Sequence, residues 1–300
     1  MKLYYYQRRD RSANFGDELN PWLWPRLLPG CFDEDDATLF VGTGTLLNHL
    51  LPVRTASARR LIIFSTGAGY EKPLRQIPSH WQIICVRGPL SANRLGLPAS
   101  SAIADGGLLI HRCFSPTGKK TARYGLMPHV HHATYAQATW QQICQQLDIR
   151  YIDPRWPVEQ VLTAISETEL LLAEAMHGAI AADALRVPWI PILTSPRMLR
   201  FKWQDWCASM RLPYRPQVLA PLADYPRYGR GLRSGLCSAA HWSRYLKQTA
   251  LSYPPSLQTS ARLAQILSRP TPYLSQNSWL ANRVEQLEAA LWTVRSRDAE

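Results

Sequence analysis

Short apolar runs alternate with longer amphipathic stretches through the first two hundred residues, a rhythm that predicts β/α units built on parallel sheets. Strands are expected at 3–6, 38–41, 61–65 and 82–86, then at 124–127, 150–152, 169–173 and 189–193. Between them, helices are expected at 17–28, 136–147, 158–166 and 177–185, the first with Asp17 and Glu18 in its opening turn, where carboxylates suit the positive end of the macrodipole. Pro21 and Pro25 should shorten or kink that helix. Two runs end in glycine-containing turns, Gly42-Thr43-Gly44-Thr45 and Thr66-Gly67-Ala68-Gly69, which let a ligand approach backbone amides.

The polar stretch Ser115–Lys120 interrupts this rhythm and marks the expected linker. It divides the chain into an N-terminal Rossmann-like domain over 1–118, a second over 119–212, and a basic, proline-rich and helical extension over 213–300. The expected architecture is α/β, with two Rossmann-like domains facing across a cleft and ligands at the C-terminal ends of the strands. Prolines are dense from Pro213 to Pro272, where irregular structure is expected with helices near 239–249 and 258–267. In Asn277–Val294, Leu280, Val284, Leu287 and Leu291 fall at spacings of 4, 3 and 4, an amphipathic helix that should pack back on the body.

Composition sharpens this picture at two points. The 300 residues are 46% hydrophobic and 19% charged, which excludes a disordered or fibrous chain. Of the net charge of +12, most lies late: residues 197–300 carry 15 basic against 6 acidic side chains. Such a segment suits nucleic acid, anionic lipid or a multiply charged small substrate. The six cysteines show no CxxC and no close Cys/His spacing, so neither a zinc knuckle nor a disulfide scaffold is expected. Met1–Asp10 lacks an apolar core of the secretory type and no stretch is long enough to span a bilayer, so the expectation is a cytoplasmic protein with reduced thiols.

Candidate chemistry gathers at strand ends. In Ala173–Gly178 a strand gives way to a helix at His177, so the imidazole sits at a helix N-terminus, where the dipole lowers its pKa and amides attract an anion. Glu174 and Gly178 flank it. Arg87, at the end of 82–86, could present its fork to a carboxylate or phosphate, or tie down a loop. Arg197, Arg200 and Lys202 could add cations, with Arg197 and Arg200 on one helical face, or form a solvated basic face. In Pro128–His132 three imidazoles lie close, but His129 and His131 face away from His132 if the strand continues, and no bound metal is expected. Gly42-Thr43-Gly44 lacks both the third glycine of a dinucleotide fingerprint and the Gly-Lys-Ser/Thr of a P-loop.

Taken in order, Asn14-Phe15-Gly16-Asp17-Glu18-Leu19-Asn20, Val41–Gly44, Val86–Ser91, Pro128-His129 and Glu174–Ala179 resemble the polysaccharide pyruvyl transferase family, over about residues 3–210. The resemblance implies a fold similar to the two-domain GT-B glycosyltransferases. It further implies transfer of the enolpyruvyl unit of phosphoenolpyruvate onto two hydroxyls of one sugar, giving a pyruvate ketal, with no other cofactor. Under it His177 is the general acid, Arg87 and His129 complete the catalytic set, and Arg87, Glu174 and Gly178 bind the donor. Arg197, Arg200 and Lys202 are added to the donor side on charge alone. Asn14, Gly16, Asp17 and the Gly42-Thr43-Gly44 turn line the acceptor side. Asp105-Gly106-Gly107 stands where the family usually carries Asp-Pro-Ala.

The basic segment, with Trp206, Trp242, Trp279 and Trp292, would suit an anionic membrane surface if the acceptor is a lipid-linked repeat unit at the inner face of the cytoplasmic membrane. Nucleic acid is not the expected partner. Two alternatives stay open: a GT-B glycosyltransferase using a nucleotide sugar, and a non-enzymatic protein whose basic tail serves as an assembly surface.

Overall fold

The computed structural model describes residues 1–195, 198–222 and 254–297. Two parallel sheets carry the chain. The first has the order β1-β2-β3-β4, from Lys2–Tyr4, Thr38–Val41, Arg60–Phe64 and Trp81–Cys85. The second has the order β6-β5-β7-β8-β9, from Ala122–Met127 (β5), Ile149–Tyr151 (β6), Thr168–Ala173 (β7), Trp189–Leu193 (β8) and Gln217–Val218 (β9). The α/β class with parallel sheets is as expected from the sequence. Parallel strands are covered on both faces, which is why β3 (RLIIF), β7 (TELLLA) and β8 (WIPIL) read as nearly unbroken apolar runs.

Ten described helices surround the sheets: α1 (Phe15–Leu27), α2 (Leu51–Arg54), α3 (Pro89–Arg94), α4 (Val130–Tyr135), α5 (Gln137–Gln146), α6 (Val158–Ser166), α7 (Met176–Ala184), α8 (Arg200–Ser209), α9 (Pro255–Ser268) and α10 (Asn277–Arg297). A 3₁₀ helix over Gly106–Arg112 lies between the sheets. The outer face of the first sheet buries Leu39, Val41, Leu61 and Ile63 against Leu47 and Leu51, and the outer face of the second buries Leu170, Leu172, Ile190 and Ile192 against Trp140, Leu263 and Ile266. The other faces share one core. Phe40, Ile62 and Phe64 of the first sheet belong to the same buried cluster as Met127, Leu171 and Ala173 of the second, with Leu19 and Trp24 of α1, Leu108 and Leu109, and Ile180 of α7 between them. Trp24 fixes α1 on its sheet, meeting Phe40 and Phe64 edge-on at 5.3 Å each.

Three local differences from the sequence expectation have physical causes. Helix α1 runs for 13 residues through both prolines. Pro21 cannot donate to the Asp17 carbonyl, but the Asn20 side-chain amide does so at 3.1 Å and takes the place of that helical bond. The strand leading to His129 stops at Met127, and α4 begins at Val130 with His129 as its N-cap. The helix expected from Arg197 begins at Arg200. Pro196 and Arg197 lie outside the described residues, as do the helix expected at 239–249 and Trp242.

The last helix packs back as its stripe requires. Leu280, Val284, Leu287, Leu291 and Val294 are buried in the shared core, and Arg112 pairs with Glu288 across the join. Trp206 is fully buried among aromatic rings, and Trp279 donates to the Ser209 carbonyl while Arg211 and Arg283 lie over its ring. Trp206 is thereby removed from the expected membrane-facing set, since a core ring cannot reach a bilayer; Trp279 is half-buried, and Trp292 is exposed, beside Arg295. Among the described residues no helix is long and apolar enough to cross a membrane.

Candidate active site

The site lies where the strand ends of both sheets approach α1 and α7. His177 is in the first turn of α7, and its imidazole rests on Gly16 of α1. A Cβ at Gly16 would fall well inside contact distance of His177 Nδ1, so glycine there is a steric requirement of the histidine's position. Asp17 follows at once, with Asn14 donating to its Oδ2 at 2.8 Å. Burial pushes the Asp17 carboxyl up to about 6, against the opposing pull of Asn14, His177, Lys202 and Arg8. Asn14, Gly16, Asp17 and His177 are therefore gathered in one place.

On the other side of His177 stands Asp105, which caps the 3₁₀ helix by accepting from the Gly107 N–H at 3.0 Å through Oδ1. Its Oδ2 is 3.6 Å from His177 Nε2. Gly106 is tightly confined: a Cβ there would lie 2.5 Å from Trp24 Cη2 and 2.6 Å from Ser65 Oγ. That packing accounts for the glycine where the family usually has proline. Ser65, at the end of β3, has a left-handed φ of 60°, and its buried hydroxyl has no hydrogen-bond partner; nor does that of Thr43 beside it.

Lys202 and Arg8 bring positive charge. Lys202, nearly buried on α8, donates to Tyr70 OH at 3.1 Å. Arg8, in the loop after β1, holds Asp10 and Ser12, and its field and that of Lys202 both reach Asp17, His129 and His131. Burial, then these cations and the neighbouring imidazoles, hold His129 well below the ordinary histidine range and His131 down to about 4. Burial and these cations together favour the neutral form of His129 and His131.

Arg87 is a correction. It is fully buried: its Nε pairs with Asp205 Oδ2 at 3.1 Å, Nη1 donates to the Gly44 carbonyl and Thr45 hydroxyl at 3.0 and 2.8 Å, and Nη2 donates to the Ala68 carbonyl at 3.2 Å. A fully buried fork with four of its five N–H groups so engaged ties the two glycine turns to α8 and is turned inward, away from solvent. Asp205 also accepts from the Ser91 N–H and hydroxyl, at 2.9 and 2.5 Å.

Glu174 and Gly178 move in the same way, from ligand contact to support. Glu174 is fully buried and accepts from the His129 N–H at 2.9 Å, His132 Nδ1 at 2.6 Å, the Thr194 N–H at 3.1 Å and the Thr194 hydroxyl. Burial alone would raise its pKa, but His132, Thr194 and the His129 N–H outweigh it and hold the carboxyl below its ordinary value. A Cβ at Gly178 would meet Met127 Sδ at 2.5 Å, so this glycine lets α7 lie close on β5. Gly42 is likewise packed against Trp24, the Thr43 carbonyl accepts from Asn20, and the Gly44 carbonyl accepts from Arg87. Arg200 is exposed, and two positions along α8 from Lys202 it points to a different side. Asp105, Asp205, His132, Thr194 and Arg8 were not singled out by the sequence as site residues. Asp105 had a visible signal in its Asp-Gly-Gly turn, and His132 had one in the histidine run.

An α/β scaffold of parallel strands, with an imidazole, a protonatable carboxyl and buried cations collected at the strand ends, is the frame of a group-transfer enzyme. The chain belongs to the polysaccharide pyruvyl transferase family, whose sequence profile matches residues 1–196. It is 34% identical over 324 aligned positions to the succinoglycan biosynthesis protein ExoV of Rhizobium meliloti (strain 1021), with 98% of this chain and 99% of that protein covered. Among solved structures, the UDP-GlcNAc 2-epimerase of Methanocaldococcus jannaschii, in complex with UDP-GlcNAc and UDP, aligns over 85% of this chain and 80% of its own at 11% identity and a TM-score of 0.34.

Proposed function

We propose that the protein transfers the enolpyruvyl unit of phosphoenolpyruvate to two hydroxyls of one sugar in an exopolysaccharide repeat unit, forming a pyruvate ketal and releasing phosphate. The observation that carries this reading is His177 at the N-terminus of α7, seated on Gly16 next to Asp17, a carboxyl that the field of Lys202 reaches. A proton delivered to C3 of the donor turns its methylene into a methyl and leaves C2 electron-poor; the first sugar hydroxyl attacks C2 and gives up its proton. Phosphate then departs with the C2–O bond, and the second hydroxyl closes the ketal, its proton leaving with phosphate. His177 is the group that moves the first proton, and Lys202 and Arg8 balance the charge of carboxylate and phosphate. Asp17 and Asn14 hold sugar hydroxyls. His129 orients the acceptor.

The near full-length similarity to a succinoglycan biosynthesis protein supports an exopolysaccharide acceptor. We take the acceptor in its lipid-linked form, with the protein meeting the inner face of the cytoplasmic membrane peripherally through Trp292 and Arg295; association with anionic vesicles at physiological salt is its test. The reading as a whole is tested by thermal stabilisation. Phosphoenolpyruvate at ~100 times its dissociation constant adds about 2.7 kcal/mol to a folded state that alone binds it. Stabilisation weakened by Lys202→Ala is the expected result; stabilisation by nucleoside phosphates with none by phosphoenolpyruvate overturns it in favour of a nucleotide-sugar transferase.

A further inference from the structure

We propose that Asp105 is the positioning residue for His177, fixing the imidazole as its Nε2–H tautomer so that Nδ1, over Gly16, is the nitrogen that exchanges the proton in catalysis. The inference rests on His177 being the proton-transfer group. Three observations support it. Asp105 is fully buried and divides its two oxygens: Oδ1 is taken by the Gly107 N–H, while Oδ2 has no hydrogen-bond partner. His177 Nε2 is also buried without a partner, and it is the atom 3.6 Å from that open oxygen. Nδ1, in contrast, lies over Gly16, on the side that carries Asn14 and Asp17.

A buried carboxylate oxygen and a buried ring nitrogen that face each other are satisfied together only if the nitrogen carries the hydrogen. The separation is beyond a hydrogen bond and closes with a small ring rotation, as often happens when a catalytic contact tightens around substrate. Asp17, another carboxyl in this region, is on α1 next to Gly16, the residue on which Nδ1 rests. The Gly107 N–H holds Asp105 from behind, and the bulk of Trp24 against Gly106 fixes the turn that presents it.

The test is the tautomer of His177, read from ¹⁵N imidazole shifts in histidine-labelled protein and assigned by the resonances missing in His177→Gln. The wild type is expected to show Nε2–H as its neutral tautomer, with Nδ1 the nitrogen that takes up a proton to form the imidazolium that then delivers it. Asp105→Asn keeps an oxygen for the Gly107 N–H and turns an NH₂ toward Nε2, so the tautomer inverts; melting changes little, and kcat falls at least about 100-fold while the KM for phosphoenolpyruvate changes less than about threefold. A wild-type Nδ1–H tautomer overturns the proposal, even if Asp105→Asn does not fold. An unchanged tautomer or kcat in that variant does so as well. The tautomer is measured without substrate, so failure of the protein to turn over phosphoenolpyruvate would remove the proposed reaction and leave this measurement to stand by itself.

Discussion

The two sheets secure their strand ends by opposite means. At the first sheet a buried cation, Arg87, collects the carbonyls of Gly44 and Ala68; at the second a buried anion, Glu174, collects the N–H groups of His129 and Thr194. Each hub joins loops that are distant in sequence, and each is fully buried. The difference lies in how the charge is balanced. Glu174 finds its partners in the segments that follow β5 and β8 of its own sheet, whereas Arg87 depends on Asp205, carried by α8 between β8 and β9 of the other sheet. A charged residue at a strand end can thus be the frame of a site and touch no ligand at all.

That contrast can be broken most sharply at Arg87. Arg87→Ala leaves Asp205 charged and buried, and should cost about 3–5 kcal/mol in denaturant unfolding. Glu174→Gln keeps the shape but cannot accept from both His132 and the Thr194 groups as a carboxylate does, so a loss of about 1–3 kcal/mol is expected. Its effect on transfer should exceed its effect on melting, because it loosens the loop that carries His129. Asp17→Asn sharpens the comparison by pH. The folded-state pKa of Asp17, about 6, is above its ordinary value, so the folded protein holds this proton more tightly and the group's favourable contribution is lost as pH rises from about 4 to about 6. Over that window wild-type stability should fall relative to Asp17→Asn, as read from melting curves in parallel buffers. The smallest effect is expected at the solvent-facing Arg112–Glu288 pair, where Glu288→Gln should stay within about 1 kcal/mol of wild type.

Much of this fold was legible because strand and helix periods are local properties. Strand 38–41 and helix 158–166 have the expected bounds, and Leu280, Val284, Leu287 and Leu291 are buried along one stripe as their spacing requires. Of the site, the start of α7 beside His177 is the strand-to-helix turn that its motif suggested, whereas the contact between His177 and Gly16 joins two motifs that the sequence leaves apart. What could not be read was direction. Arg87 and Glu174 occupy positions where a ligand-binding side chain would also stand, and only their partners, 118 residues away for Asp205 and 42 for His132, show that they point inward. Asp105 was obscured by its own turn, since an Asp before two glycines is an ordinary cap. Its second oxygen acquires meaning only when α7 is brought alongside.

The Arg87–Asp205 pair also bears on how this protein is made. At about 5–20 residues per second, the 118 residues that separate the two partners take about 6–24 s to emerge from the ribosome. Throughout that interval the first sheet would have to enclose an unneutralised guanidinium to reach its final form, a cost that favours waiting. The nascent N-terminal half is therefore expected to stay open until α8 arrives, so that its closure reports that synthesis has passed β8.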